Sequence, residues 1–128
     1  GSAPSFGSDY ASQVSEANST TTSSTYQDKV SLVTGALTGT YLVEWQCEMT
    51  IASANRQHQC RLYDETAVTE LCNDDHRPSV ANAWKLASGF ALVTLSGSAK
   101  TLKIQFASQN NSTTVTIRRA RIVMWRVS

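Results

Sequence analysis

Thr40–Ala52 reads TYLVEWQCEMTIA, and its odd positions carry Tyr41, Val43, Trp45, Cys47, Met49 and Ile51 against Leu42, Glu44, Gln46, Glu48 and Thr50 between them. Side chains along a strand point alternately to opposite faces, so this period of two predicts a strand with one buried and one mostly wetted face. The polar turn Ser53–Asn55 leads into Gln57–Tyr63, where His58, Cys60 and Leu62 alternate with Gln57, Gln59, Arg61 and Tyr63. That is the return strand of a hairpin.

The same texture continues in both directions. Upstream, Tyr26, Asp28, Val30 and Leu32 alternate with Gln27, Lys29, Ser31 and Val33 up to Gly35, which predicts a first strand from Thr25 with those two sets on opposite faces. Downstream come a weaker strand over Thr66–Leu71, a loop over Asn73–Asn82, and a strand over Trp84–Leu95 turned by Ser96-Gly97-Ser98. Ala99–Ala107 places Leu102, Ile104 and Phe106 inward and Lys103 and Gln105 outward. The last strand, Thr113–Val127, carries Val115, Ile117, Val123, Trp125 and Val127 on one parity and Ala120, Ile122 and Met124 on the other. Apolar residues on both sides of this strand predict a face that meets another copy of the chain, or a core that takes both faces. Strands at roughly ten-residue spacing, joined by Gly, Asn and Ser turns, predict an all-β fold, an antiparallel β-sandwich of the jelly-roll type. Ser and Thr supply 32 of the 128 residues, a β-rich bias, and the length suits one domain.

Residues 1–24 differ. Gly1-Ser2 reads as a cloning remnant. The rest is rich in Ser and Thr, with no Lys or Arg before Lys29, and predicts a flexible N-terminal arm ahead of a sandwich domain over residues 25–128. Phe6, Tyr10 and Val14 are its apolar anchors, spaced i, i+4, i+8 as on a short amphipathic helix docked on a partner. No apolar run approaches a membrane span, so no membrane partner is expected.

Charge is lopsided although the net value is +1: residues 1–75 hold ten acids and three bases, residues 76–128 eight bases and no acid. Neighbouring strands of opposite sign neutralise one another, and no nucleic-acid reader motif accompanies the bases, so no nucleic-acid partner is expected. Arg118, Arg119 and Arg121, with Arg126, form a row of forked donors on the last strand, for which Glu44, Glu48 and the Asp64-Glu65 pair are the partners on this chain or a neighbour.

Catalytic signatures are absent, and an enzyme is not expected. Glu44 and Glu48 lie about 13 Å apart along one strand face, beyond the ~5–9.5 Å of glycosidase carboxylate pairs. Cys72, Asp74, Asp75 and His76 lack a second spaced pair, and His58, Cys60 and Cys47 can converge from facing strands but without a specific pattern; a polar loop and the packing of a buried Cys beside a hydrogen-bonded histidine are expected instead, with no metal and no cofactor. Trp45 and Trp125 follow apolar parity and are expected in the core, whereas Trp84, bordering the long loop, is the indole placed for contact with a partner or a sugar. The sequons at Asn18, Asn110 and Asn111 arise readily by chance in so Ser/Thr-rich a chain.

Ser88-Gly89-Phe90-Ala91-Leu92-Val93, after a loop and a Trp, and the closing Ile122-Val123-Met124-Trp125-Arg126-Val127 resemble the trimeric jelly rolls of the complement and tumour-necrosis-factor type, and in texture the small jelly-roll virion proteins of tailed bacteriophages: capsid decoration or cement proteins and fibre-tip domains. The resemblance spans about residues 25–128. It implies a homotrimer packed through one sheet, no catalytic site, an arm that grips a neighbour or the capsid shell, and residence in the virion after assembly in the host cytoplasm. The expected function is capsid decoration or head stabilisation; a carbohydrate- or receptor-binding tip using Trp84 and the 73–82 loop is the alternative.

Overall fold

The alternation of Thr40–Ala52 decides the centre of the fold: Tyr41, Val43, Trp45, Cys47, Met49 and Ile51 are all buried along one strand, β4 (Thr38–Ile51). The computed structural model describes residues 3–128, so Gly1-Ser2 lies outside the described residues. Before β4 come β1 (Tyr10–Ser15), β2 (Ser19–Thr21) and β3 (Gln27–Val33). After it come β5 (His58–Asp64), β6 (Thr69–Asn73), β7 (Lys85–Ser96), β8 (Thr101–Ser108) and β9 (Val115–Arg126). All pairings between them are antiparallel. They form a five-stranded sheet ordered β1-β9-β4-β7, with β2 also on β9, and a four-stranded sheet ordered β3-β8-β5-β6. The two sheets enclose one core, with Leu32, Leu62, Leu102, Ile104 and Phe106 from the second facing Trp45, Met49, Ile117, Ile122 and Met124 from the first.

Two strands change face part-way, which strict alternation does not foresee. In β9, Gln46 pairs with Arg121 but Glu48 with Arg118, so Cys47 alone stands against Arg119 and Ala120. Arg119 adopts φ 51° at this bulge. An extra residue reverses the parity beyond it. Val115 and Ile117 point inward before the bulge and Ala120, Ile122 and Met124 after it. Trp125, expected in the core, is therefore on the outer face, 46% exposed. A second bulge between Asp28 and Val30 likewise sends Asp28 outward while Val30 and Leu32 stay buried.

The segment expected as a flexible arm is built into the five-stranded sheet from Tyr10 onward. β1 pairs with β9 from Ala120 to Trp125, and β2 with β9 from Val115 to Ile117. The reason is the exposed edge of β9, whose backbone groups need partners that a Ser/Thr-rich chain supplies as well as an apolar one. β1 and β2 separate at Glu16–Asn18, where the bulge of β9 interrupts the edge and Arg119 N–H donates to Glu16 O at 3.1 Å. Arg126 N–H donates to Asp9 O, and the buried Tyr41 hydroxyl to Ser8 O, which fixes the segment before β1 over one end of the sandwich. The i, i+4, i+8 spacing of Phe6, Tyr10 and Val14 forms no helix, since Tyr10 and Val14 lie on β1.

Candidate docking face

The outer face of the five-stranded sheet is built in rows, because residues directly opposite across a ladder share a face. Tyr10, Trp125, Leu42 and Leu92 make one row across β1, β9, β4 and β7. Ser12, Val123, Glu44 and Phe90 make the next, and Val14, Arg121, Gln46 and Ser88 the third. Phe90 and Leu92 are 68% and 64% exposed. Tyr10 stacks on Trp125 with ring centroids 5.4 Å apart, and Phe6 meets Tyr10 edge-on at 5.3 Å. A shallow groove of about 610 Å³ runs between Leu42, Phe90 and Val123, with Glu44, Gln46 and Arg121 as its polar edge. Exposed, contiguous apolar residues rimmed by charge are what protein interaction surfaces are made of, which makes this face the candidate site.

Past these rows the face becomes charged. Arg118 Nε donates to Glu48 Oε1 at 2.7 Å, Arg119 contacts Glu48 Oε2 at 3.3 Å, and Arg121 pairs with Glu16 at 2.9 Å. The hydrogen bond from Arg118, aided by the charge of Arg119, holds the Glu48 carboxyl below the usual carboxylate range. The Arg118 guanidinium also lies 3.6 Å from the centre of the Trp84 ring. The core side of the same sheet is fitted around Trp45, whose indole N–H donates to Cys72 Sγ at 3.0 Å. A Cβ at Gly89 would come within 2.8 Å of that nitrogen, so only glycine leaves the indole its place.

All seven site residues read from the sequence, Phe6, Tyr10, Val14, Trp84, Arg118, Arg119 and Arg121, border this one sheet. The fold brings them into two clusters: Phe6 and Tyr10 at the apolar end, and Trp84 with the three arginines, flanked by Val14, at the charged end. Leu42, Phe90, Leu92, Val123 and Trp125 fill the face between and were not singled out; the signal was the second apolar set on the β7 and β9 segments, once the bulge is allowed for. Among the described residues no three ligating side chains are placed around a metal ion. Six of the seven ion pairs among the described residues join an acid of residues 1–75 to a base of residues 76–128, so the two halves do neutralise each other.

No protein-family model matches the chain, and no curated protein matches it. Solved structures do. Eiger TNF from S. frugiperda shares the fold with a TM-score of 0.68 over 94% of both chains, at 9% identity. The globular domain of zebrafish complement 1qA protein gives 0.60 over 94% of this chain and 98% of that one, at 13% identity. The sandwich is a jelly roll. A structure of infectious bursal disease virus (Gx strain) gives 0.54 over 93% of this chain and 36% of that one, at 10% identity. Identities this low make the likeness one of fold, and what this jelly roll does has to come from its own surface.

Proposed function

We propose that this jelly roll is a structural, non-catalytic subunit that assembles as a homotrimer through the outer face of its five-stranded sheet and decorates the capsid of a tailed phage. The observation that carries the reading is the apolar face of Tyr10, Leu42, Phe90, Leu92, Val123 and Trp125, which water covers in a single chain. Burying a side chain of this size is worth ~1.5–3 kcal/mol, so several from each subunit offset the loss of translational and rotational freedom on association. Capsid attachment is the finer step. Its support is the resemblance of Ser88–Val93 and Ile122–Val127 to phage decoration proteins, beside a fold shared with a virus structure.

Light scattering tests the assembly: three chain masses are expected at micromolar concentration, and a single chain mass overturns it. Co-sedimentation with capsid shells encoded beside the same gene tests the attachment. Saturable binding is expected, and absence of binding overturns that part alone. A sugar-binding tip centred on Trp84 has less support, because Arg118 already occupies one face of the indole. Glycan binding abolished by Trp84→Ala, without affinity for shells, would favour it.

A further inference from the structure

His58 begins β5 at the end of the sandwich and is fully buried, yet neither Nδ1 nor Nε2 has a hydrogen-bond partner. A histidine packed beside a buried thiol normally satisfies at least one ring nitrogen, and the sequence reading expected as much; this one satisfies neither. Against it lies His76, in the segment Asp74–Trp84 that crosses from the four-stranded sheet to the five-stranded sheet. His58 N–H donates to His76 O and His76 N–H to His58 O, both at 3.0 Å, and the two imidazoles lie 5.4 Å apart. At its start Cys60 Sγ donates to Asp74 O at 3.2 Å and Asn73 Nδ2 to Asp75 Oδ2 at 3.3 Å. Asp74 N–H donates to Cys60 O at 3.0 Å, Asp74 Oδ2 accepts from Ser88 N–H at 3.1 Å, and Asn82 N–H donates to Ile51 O at 2.8 Å. Pro78 is buried, while residues 79–84 are exposed throughout.

We propose that the His58–His76 pair is an acid-operated latch on segment Asp74–Trp84: protonation of His58 opens the segment, hydrates the ring and releases Trp84 from Arg118. Asp74 and the residue's own backbone favour a proton on His58, but burial, His76 and Lys85 outweigh them. His76 is a second imidazole and Lys85 on β7 a cation, while Asp74, the one acid among them, is already accepting from Ser88. β8 presents the uncharged Ser108 opposite, and the inward residues of β4 here are Cys47, Met49 and Ile51. Burial, reinforced by His76 and Lys85, pushes the His58 ring down to about 4 from its ordinary 6.5. The sign follows. The closed form holds His58 neutral, so closure is at full strength above pH 6.5 and weakens as pH falls towards 4, where the open form binds a proton that the closed form refuses. Opening reaches the docking face because the same segment ends at Trp84.

Hydrogen exchange read by mass spectrometry on peptides from 74–84, corrected for the intrinsic pH dependence of exchange, tests this on the intact chain. The open fraction is expected to rise by about a hundredfold between pH 7 and pH 4, because the open ring takes its proton near 6.5 and the closed ring only near 4. His58→Met, which fills the space without a titrating group, is expected to change by less than about threefold over the same range. Unchanged protection of 74–84 in the wild-type chain, or the same acid opening in His58→Met, overturns the proposal. Should that variant fail to fold, NMR titration of the wild-type imidazole decides: a ring that stays neutral until the segment opens supports the latch, and one that titrates near 6.5 with the segment still protected overturns it.

Discussion

The two outward faces of the sandwich are made from strands of the same kind and treat water in opposite ways. On the four-stranded sheet every charge finds an answer nearby. Arg61 lies 3.9 Å from the centre of the Tyr26 ring and 4.3 Å from that of Tyr63, and its Nε donates to Gln105 Oε1 at 2.9 Å. Gln105 donates in turn to Asp28 at 2.8 Å, and Lys103 bridges Asp28 at 2.7 Å and Glu65 at 2.9 Å. On the five-stranded sheet the middle rows carry aromatic and aliphatic groups, with Glu44 among them, which meets no cation among the described residues. A self-satisfied network has little to gain from a partner, whereas an apolar face gains from every contact it makes. On the proposed reading, that difference leaves one side of the molecule to solvent and offers the other for assembly.

The sharpest way to break that contrast is to charge the apolar face. Leu92→Lys is expected to reduce the assembly to single chains, weakening association at least about a hundredfold, because an unpaired charge in a buried contact costs ~3 kcal/mol or more. Ser31→Glu on the opposite face, facing Lys103, is expected to leave the mass by light scattering unchanged.

Deleting residues 3–24 comes next in size. It strips β1 and β2 from β9, exposes Ile122 and the backbone edge, and removes the acceptor of the Tyr41 hydroxyl. A loss of about 3 kcal/mol or more is expected, read as a lowered urea midpoint. A midpoint unchanged by the deletion would return the segment to the status of an arm.

On the polar face, Arg61→Ala removes both ring contacts and the bond to Gln105. It is expected to cost ~1–2 kcal/mol in the same urea experiment while leaving the oligomer mass untouched. The smallest effect concerns pH. Burial alone would raise the Asp28 carboxyl, but hydrogen bonds from Lys103 and Gln105 outweigh it and hold the group below its ordinary 3.8. Its contribution is therefore complete above that value and fades as pH falls through the lowered one; with Asp28 half exposed, it amounts to about 0.5 kcal/mol or less. Comparing Asp28→Asn with the wild-type chain between pH 5 and pH 2 isolates it, the difference shrinking towards zero at the acid end.

How much of this was legible depended on whether alternation ran unbroken. Across β4 it did, and each inward residue of Thr40–Ala52 is buried as the pattern requires. The Leu102, Ile104 and Phe106 row of β8 is equally faithful, although Gln105, expected outward, is mostly covered by the network around Arg61. Legibility failed where a single inserted residue reset the count, at Asp28–Val30 and at Arg119. A bulge costs little and leaves no compositional mark, so Trp125 and Asp28 were assigned to faces they do not occupy. It failed again at β1 and β2, whose strand character comes from the ladder that β9 offers and not from apolar spacing of their own. The docking face was visible as a surplus of apolar residues in β9, but its position was not, because only the register of four strands assembles the rows.

The bulge at Arg119 has a consequence for inheritance. Loss of the Arg119 codon would leave Cys47 against Ala120 alone with the pairs on either side intact, so Ile122 and Met124 stay in the core and Val123 and Trp125 stay outside. The bulge thus holds one residue in reserve, whereas in the unbroken first half of β4 the loss of a single residue would exchange the two faces beyond it. Point substitutions can retune the outer face residue by residue; a shortening at position 119 leaves it where it is.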